Sequence, residues 1–241
     1  MIKKILFFSI VLGFISCGKT LLSFVTPKNI NKSLKIIQKD NDTIIFLPMV
    51  HVAKPNFYNK TKSIIDSLRN EKYIIFYESI TFQEKYLKEN LDSLTKEELF
   101  IKMRKFRKML GRFQMNDLTS EKNKSLPSYF KNKKFISQTN TLLGIDSTDI
   151  NADVTMTMLI EAQEKKYGKI ILSDCDFKTE FNEKYKCDKV SSYYTINTFR
   201  DSIASNIVMN SRNKKSLLVY GKGHWYGIWP FFRNAGYKQI K

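Results

Sequence analysis

Three short, continuous apolar runs constrain the fold of this chain more than any other feature. They cover residues 43–47, 73–77 and 217–220, and each has the length and composition of a strand buried on both faces. Segments with the apolar spacing of a helix lie between them, the first beginning at a predicted Asn56 cap. Strand, helix and strand with short connections predict an α/β fold, in which helices flank a mostly parallel central sheet.

The rest of the chain adds further predicted elements. A hairpin with a polar turn at Asp40 includes the first run, and residues 169–173 are predicted as another core strand. The middle of the chain is predicted to be a helical, lysine-rich insertion, in which Thr95 and Glu98 form a capping box and residues 111–140 form a loop or lid. Further helices are predicted at 151–167, closed by Gly168, at 190–210, and at 226–234, closed by Gly236.

The amino terminus has the pattern of a bacterial lipoprotein signal. A positively charged start precedes an apolar stretch that is too short to span a bilayer, and the stretch ends at Ser16-Cys17. An ordinary secretory signal with a chance cysteine is the alternative. We expect acylated Cys17 to anchor the protein to a membrane of the bacterial cell envelope, at the periplasmic face of the outer membrane. The predicted division is a signal peptide (1–16), lipidated Cys17 with a tether (17–32), and a single domain (33–241).

The net charge indicates which classes of partner to expect, and the cysteine content indicates a disulfide. The formal net charge of +18 becomes +16 without the two signal lysines, but the lysines are scattered and lack the interleaved aromatic residues of a single-strand binder. We therefore expect no nucleic-acid partner, and a solvated basic surface that faces anionic lipids or envelope polymers. Cys175 and Cys187 flank a polar stretch, which in an oxidising compartment favours a disulfide over two free thiols.

Ionisable residues follow the three apolar runs. His51 comes after the first run, Glu78 directly after the second, and His224 after the third. Because the carboxyl ends of parallel strands meet at one edge of a sheet, we expect these three side chains to converge. Two imidazoles and a carboxylate can bind a divalent metal ion, or can share the roles of base and electrophile without one.

The surroundings of His224 favour a functional site. Gly221 and Gly223 precede it, and the absence of side chains there allows positive φ angles and close approach of a ligand to the backbone. Trp225 is predicted to wall a ligand pocket, with packing against the sheet as the alternative. Arg200 lies on an otherwise apolar helix face and needs an anionic partner, for which Glu78, a substrate carboxylate or a developing oxyanion are the candidates.

Four blocks of the chain resemble the Tiki/TraB/GumN superfamily, which also includes erythromycin-esterase and ChaN-like proteins. The blocks are "LPMVHVAKPNFY", "YIIFYES", "FRDSIASNIV" and "LLVYGKGHWYGIWPFFRNAGYK". The family's Gly-x-x-His motif is matched in full at residues 221–224, and Glu78 and Arg200 fall in register. Pro48 stands where the first motif has glycine, and Asp201 follows Arg200 where the family has asparagine.

The resemblance implies a hydrolase, and the Tiki branch implies a metal-dependent, peptidase-like activity. His51 and His224 would hold a divalent ion or supply a base, while Glu78 would bind the metal or take a proton from water. Arg200 would orient Glu78 or stabilise an oxyanion. A non-catalytic lipoprotein that binds a ligand such as haem is the second hypothesis, and a relative whose catalysis Pro48 has ended is the third.

Overall fold

A six-stranded mixed sheet forms the centre of the fold. The computed structural model describes residues 29–81, 96–111, 135–181, 183–211 and 213–241. The strands are β1 (Lys35–Lys39), β2 (Asp42–Met49), β4 (Ile74–Tyr77), β6 (Ile150–Asn151), β7 (Lys215–Gly221) and β8 (Lys238–Gln239). Their order is β6-β4-β7-β2-β1-β8; the first four are parallel to one another, and β1 is antiparallel to both of its neighbours. The predicted α/β class with a mostly parallel sheet is confirmed.

Helices cover both faces of this sheet. They are α1 (Ile30–Ser33), α2 (Pro55–Asn70), α3 (Lys96–Leu110), α4 (Asn140–Leu143), α5 (Met156–Tyr167), α6 (Asp174–Lys178), α7 (Arg200–Asn210) and α8 (Trp225–Asn234). A π-helical turn, Tyr194–Phe199, leads directly into α7, and a 3-10 turn, Lys222–His224, joins β7 to α8. A separate two-stranded sheet pairs β3 (Val52–Ala53) with β5 (Ile136–Ser137). None of the described helices is long and apolar enough to cross a lipid bilayer.

The period of two along each strand divides the core between the two faces. In β2, Ile45 and Leu47 pack on the side of α2, while Ile44 and Phe46 pack on the side of α7 and α8. Strand β7 follows the same alternation. Because both faces are covered, the strands read in the sequence as continuous apolar runs.

Strand β2 continues through Pro48 to Met49, so the prediction that it ends before the proline is wrong. Pro48 pairs with Tyr220 of β7 on one side. On the other side, the last residue of β2 that β1 reaches is Phe46. Proline lacks a backbone N–H, and here it lies beyond the β1 ladder, where no hydrogen bond is lost.

The predicted core strand at 169–173 is also wrong. Ser173 instead caps α6 through a reciprocal capping box with Asp176, and the chain before it has no strand pairing. Ile170 is buried against α3 and α5, whereas Ile171 is 72% exposed, which a strand in the centre of the sheet would not allow. The outer neighbour of β4 is β6, which is two residues long and too short to give an apolar run.

Helix boundaries differ from the prediction at three places. The helix predicted at 151–167 begins at Met156, after the Thr155 cap, and the prediction is wrong for Asn151, which belongs to β6. Helix α2 begins at Pro55 with Lys54 as its cap, because proline at the first helical position needs no backbone N–H partner; the predicted Asn56 cap is wrong. The predicted helix at 190–210 begins about four residues later, in the π-helical turn. Gly168 caps α5 as predicted, and Gly236 follows α8 with φ of 94°.

Several predictions fall on residues outside the described part of the chain. These are the signal peptide, Cys17, most of the tether, Thr95 of the predicted capping box, and most of the predicted loop at 111–140. Cys175 and Cys187 are described, and they are joined in a disulfide with Cα atoms 5.8 Å apart.

Candidate active site

Glu78 lies at the carboxyl edge of the sheet, between two parallel strands. It follows β4 directly, and its backbone N–H donates to Val219 O of β7 at 3.1 Å. Its side chain reaches across the end of β7, where Oε2 accepts the backbone N–H of Gly221 at 2.5 Å. The adjacency of β4 and β7 therefore places this carboxylate beside the turn that carries His224.

Arg200 is the centre of the site. Its Nε and Nη2 donate to the two carboxylate oxygens of Asp153 at 2.9 and 2.6 Å, and Nη2 also donates to Glu78 Oε1 at 2.7 Å. Nη1 has only long contacts, at 3.3 Å to His224 Nε2 and 3.4 Å to Ile196 O. The π-helical turn before α7 ends at the residue preceding Arg200, a position where such turns often serve functional sites.

His224 is held on one nitrogen by Asp201. Its Nδ1 lies 2.5 Å from Asp201 Oδ1, and the Asp201 side chain is 4% exposed. Nε2 points into the site, 3.7 Å from Glu78 Oε1. The ring of Tyr220 packs edge-on against the imidazole, with centroids 5.0 Å apart. The imidazole is thus fixed in orientation, and the nitrogen that faces the site is Nε2.

Two opposite electrostatic effects act on the buried pair of Arg200 and Glu78. Burial alone would raise the pKa of Glu78, but the charges of Arg200, His51 and His224 outweigh it and lower the pKa to about 2. Burial alone would lower the pKa of Arg200, but Asp153 and Glu78 raise it well above its ordinary value. Glu78 is therefore an anion and Arg200 a cation at neutral pH.

Two glycines make these close contacts possible. A Cβ atom on Gly221 would lie 2.9 Å from Glu78 Oε2, and one on Gly227 would overlap Asp201 Oδ2. Neither glycine uses the positive φ angle that it would allow, since Gly221 has φ of −53° and Gly223 is not among the residues with positive φ. A side chain of the protein, rather than a ligand, makes the close approach at Gly221. Around Gly223 the Cβ position is open space.

His51 does not join the hydrogen-bonded cluster. It lies in the short turn between β2 and β3, where its side chain is exposed and its backbone oxygen accepts from Gln138 N at 2.9 Å. Its charge helps to lower the pKa of Glu78, but no hydrogen bond joins the imidazole to another described residue. The site contains Glu78, Arg200 and His224 together, with His51 at its margin.

The side chains at the centre do not fit a metal ion in this arrangement. An ion between Glu78 and His224 would lie beside the Arg200 guanidinium, and both Glu78 oxygens already accept hydrogen bonds. Within the described ranges, no three histidine, cysteine, aspartate or glutamate side chains are placed to share one metal ion. The divalent metal predicted at His51, Glu78 and His224 therefore stays a prediction.

Trp225 belongs mainly to the core. Its ring contacts Phe46 at 5.1 Å and stacks on Trp229 at 5.6 Å, and only 8% of the residue is exposed. One edge of it lines a cavity of about 280 Å³ next to the site. No observation bears on haem binding, and the ligand-binding alternative stays a prediction.

Asp153 and Asp201 are the site residues that the sequence reasoning missed. Asp153 lies in "INADV", and the short strand β6 before it has no apolar run that would predict a strand. Asp201 differs from the asparagine of the family pattern, and that difference alone indicates no role. The available signal was an acidic residue directly after the arginine of a predicted helix, and both residues are buried.

Comparison with protein-family models, with curated proteins and with solved structures found no match to this chain. The resemblance to the Tiki/TraB/GumN superfamily therefore stays a prediction from the quoted blocks.

Proposed function

We propose that the protein is a hydrolase in which His224 takes a proton from the attacking water and Asp201 positions its imidazole. The observation that carries this proposal is the 2.5 Å contact between His224 Nδ1 and the buried carboxylate of Asp201. Because that contact engages Nδ1, it leaves Nε2 to face the site. A histidine supported in this way on one nitrogen can act as a general base on the other.

In the proposed reaction, the proton that leaves water has a group to accept it, and the bond that forms to carbon is matched by one that breaks. Water gives a proton to His224 Nε2 as its oxygen bonds to the carbonyl carbon of the substrate. Asp201 and Glu78, the latter 3.7 Å from Nε2, stabilise the resulting imidazolium. The contacts of Arg200 Nη1 are long, so this nitrogen is the donor best able to form a hydrogen bond to the oxyanion. Nε2 then returns the proton to the leaving atom as its bond to carbon breaks.

The resemblance to the Tiki/TraB/GumN superfamily supports a peptide as the substrate class. It also supports a metal-activated water as the rival mechanism, with His51 as a ligand. We propose further that acylated Cys17 holds the domain at the surface of an envelope membrane, as the amino-terminal pattern predicts.

A peptide-library hydrolysis assay of the purified full chain, with and without a chelator, tests this function. We expect cleavage that persists in chelator and falls about 10²- to 10⁴-fold in His224→Ala. His51→Ala separates the two mechanisms, since it should reduce the rate far less than His224→Ala if His224 is the base. Cleavage that needs a divalent ion, with equal losses of rate in both variants, would contradict His224 as the general base and favour the metal-activated water. A folded protein that cleaves no peptide would overturn the proposed substrate class.

A further inference from the structure

A small cavity with basic walls adjoins the candidate active site. Its volume is about 280 Å³, below the range of about 300–1,000 Å³ usual for sites that hold a whole ligand. A cavity of this size fits one residue-sized group. It is lined by Lys32, Ser33, Lys35, Phe46, Pro48, Lys222, Trp225 and Tyr226.

The 3-10 turn connects the cavity to the site. Lys222 follows Gly221, whose N–H donates to Glu78, and Trp225 follows His224. Pro48, which also lines the cavity, pairs with Tyr220 near the end of β7. A group bound in the cavity therefore lies beside the turn that presents His224, and the rest of the same molecule can extend to the imidazole.

The lining is cationic above an aromatic floor. Lys32, Lys35 and Lys222 surround the cavity, no carboxylate lines it, and none of the three pairs with an acidic residue in the described part of the chain. Phe46 and Trp225 close the bottom, and Tyr226 is 81% exposed at the rim. A ligand suited to this lining carries negative charge on a short apolar stem.

We infer that this cavity is a specificity subsite for an acidic residue of the substrate, next to the bond that is cleaved. The inference rests on the proposed function, because it takes the ligand to be part of a peptide substrate. A glutamate side chain meets the requirements, since its methylene groups can contact the aromatic floor while its carboxylate reaches the lysines.

Binding measured apart from cleavage tests the subsite. The probes are acetyl-Ala-Ala-Glu-amide and acetyl-Ala-Ala-Gln-amide, which differ by one charge, and the protein is full-length His224→Ala, which should not consume them. We expect the Glu peptide to bind more tightly, with a preference that weakens as salt is added. Lys222→Gln should reduce the preference about two- to fivefold, and combining it with Lys32→Gln and Lys35→Gln should abolish it.

Lys238→Gln is the matched control, since it removes the same charge from an exposed position on the edge strand β8 and should leave the preference unchanged. Equal binding of the two peptides, or a preference that survives the triple substitution, would overturn the subsite. If inorganic phosphate binds the cavity as strongly as the Glu peptide does, the subsite is also overturned, because the cavity would then bind anions in general.

Cleavage by the unsubstituted protein separates this inference from the proposed function. Cleavage without a preference for acidic residues contradicts the subsite and leaves the hydrolase intact. A lysine-dependent preference in binding, in a protein that cleaves no peptide, supports the cavity as a site for an acidic residue and contradicts the proposed hydrolysis of peptides.

Discussion

Gly227 is the residue on which the position of Asp201 most depends. A Cβ atom there would overlap Asp201 Oδ2, and α8 cannot retreat easily because Ile228 and Phe232 are fully buried. We predict that Gly227→Ala separates Asp201 from His224 and lowers the free energy of unfolding in urea by about 1–3 kcal/mol. This loss should exceed the gain of about 1 kcal/mol in helix propensity, and hydrolysis should fall with it.

Gly223→Ala provides the control for that substitution. Apart from the two chain neighbours, no atom of the described residues lies within 4 Å of a Cβ at this position, which is not among the residues with positive φ. The free energy of unfolding should be unchanged or slightly higher, because alanine restricts the unfolded chain. Equal destabilisation by both substitutions would mean that Asp201 is not held against the helix backbone.

The ionised Glu78 predicts a loss of stability in acid. Its pKa is lowered to about 2 from an ordinary value of 4.5, so its contribution is complete above about pH 4.5 and is lost as the pH falls toward 2. A difference of this size corresponds to about 3 kcal/mol. In Glu78→Gln, the fall in the free energy of unfolding between pH 5 and pH 2 should be smaller by about this amount. An acid dependence identical to that of the parent protein would show that Glu78 is not stabilised as an anion.

The sequence allowed Glu78 and His224 to be predicted at one edge of the sheet, together with His51, because strand ends are visible in it. It also indicated that Arg200, a charged residue on an apolar helix face, needs an anion. The partners of Arg200 were left open among three anions, and the structure contains Glu78 together with Asp153. A hydrogen-bond partner depends on side-chain directions in three dimensions, which an apolar pattern does not specify. The exposed position of His51 follows from the turn after β2, whose shape the pattern leaves undetermined.

At the scale of elements, the disulfide loop fixes the docking of α3. Cys175 and Cys187 enclose Thr179, whose carbonyl oxygen accepts hydrogen bonds from Arg104 and Arg107 of α3. Lys108 of the same helix donates to Asp176 of α6 at 2.7 Å. Burial acts to raise the pKa of Asp176, but hydrogen bonds from Lys108, the Ser173 backbone and Tyr185 lower it to about 2.

Removal of the disulfide should destabilise the fold without changing the chemistry. Replacing both cysteines by serine frees a loop whose ends are 12 positions apart in the sequence, which corresponds to a loss of about 2–4 kcal/mol in the free energy of unfolding. The hydrolysis rate at 25 °C should change little, because none of the site residues lies in the loop. A reducing agent should lower the stability of the parent protein and leave the serine variant unaffected; the same response in both proteins would contradict this account.

The strands that were predicted correctly are those with long apolar runs. Strand β6 has two residues and no pattern to detect, whereas residues 169–173 have an apolar run that is not paired in the sheet: Ile170 packs against helices, and Ile171 is exposed. A run of that length is compatible with either use, and only the capping box at Ser173 distinguishes them. The apolar run predicts a strand end at Pro48, because the limit of the β1 ladder cannot be seen in the sequence.

At the scale of the whole molecule, a parallel sheet brings together residues from distant parts of the chain. Glu78, Asp153, Arg200 and His224 span almost 150 positions, and β4 and β7 lie side by side so that the residues after them meet. Because strand connections in α/β folds are right-handed and the strands run parallel, the sequence alone predicts that residues after different strands meet at this edge.

The predicted lipid anchor belongs to the same scale. Cys17→Ala should move the protein from the membrane fraction to the soluble fraction of the envelope and remove the mass of the acyl chains from the mature protein. Fractionation and intact-mass analysis measure both effects. A mature chain without acyl mass before substitution would favour the ordinary secretory signal.

The pair of Asp201 and His224 is tested most directly by the hydrolysis rate of Asp201→Asn. Asparagine keeps the size of the side chain and is the residue that the family pattern has at this place, but it removes the charge that stabilises an imidazolium. We predict a fall in kcat of about 10²- to 10⁴-fold, with KM little changed. The variant should remain folded, with a free energy of unfolding close to that of the parent protein. A variant that hydrolyses peptides at the parent rate would contradict the assignment of His224 as a base positioned by Asp201.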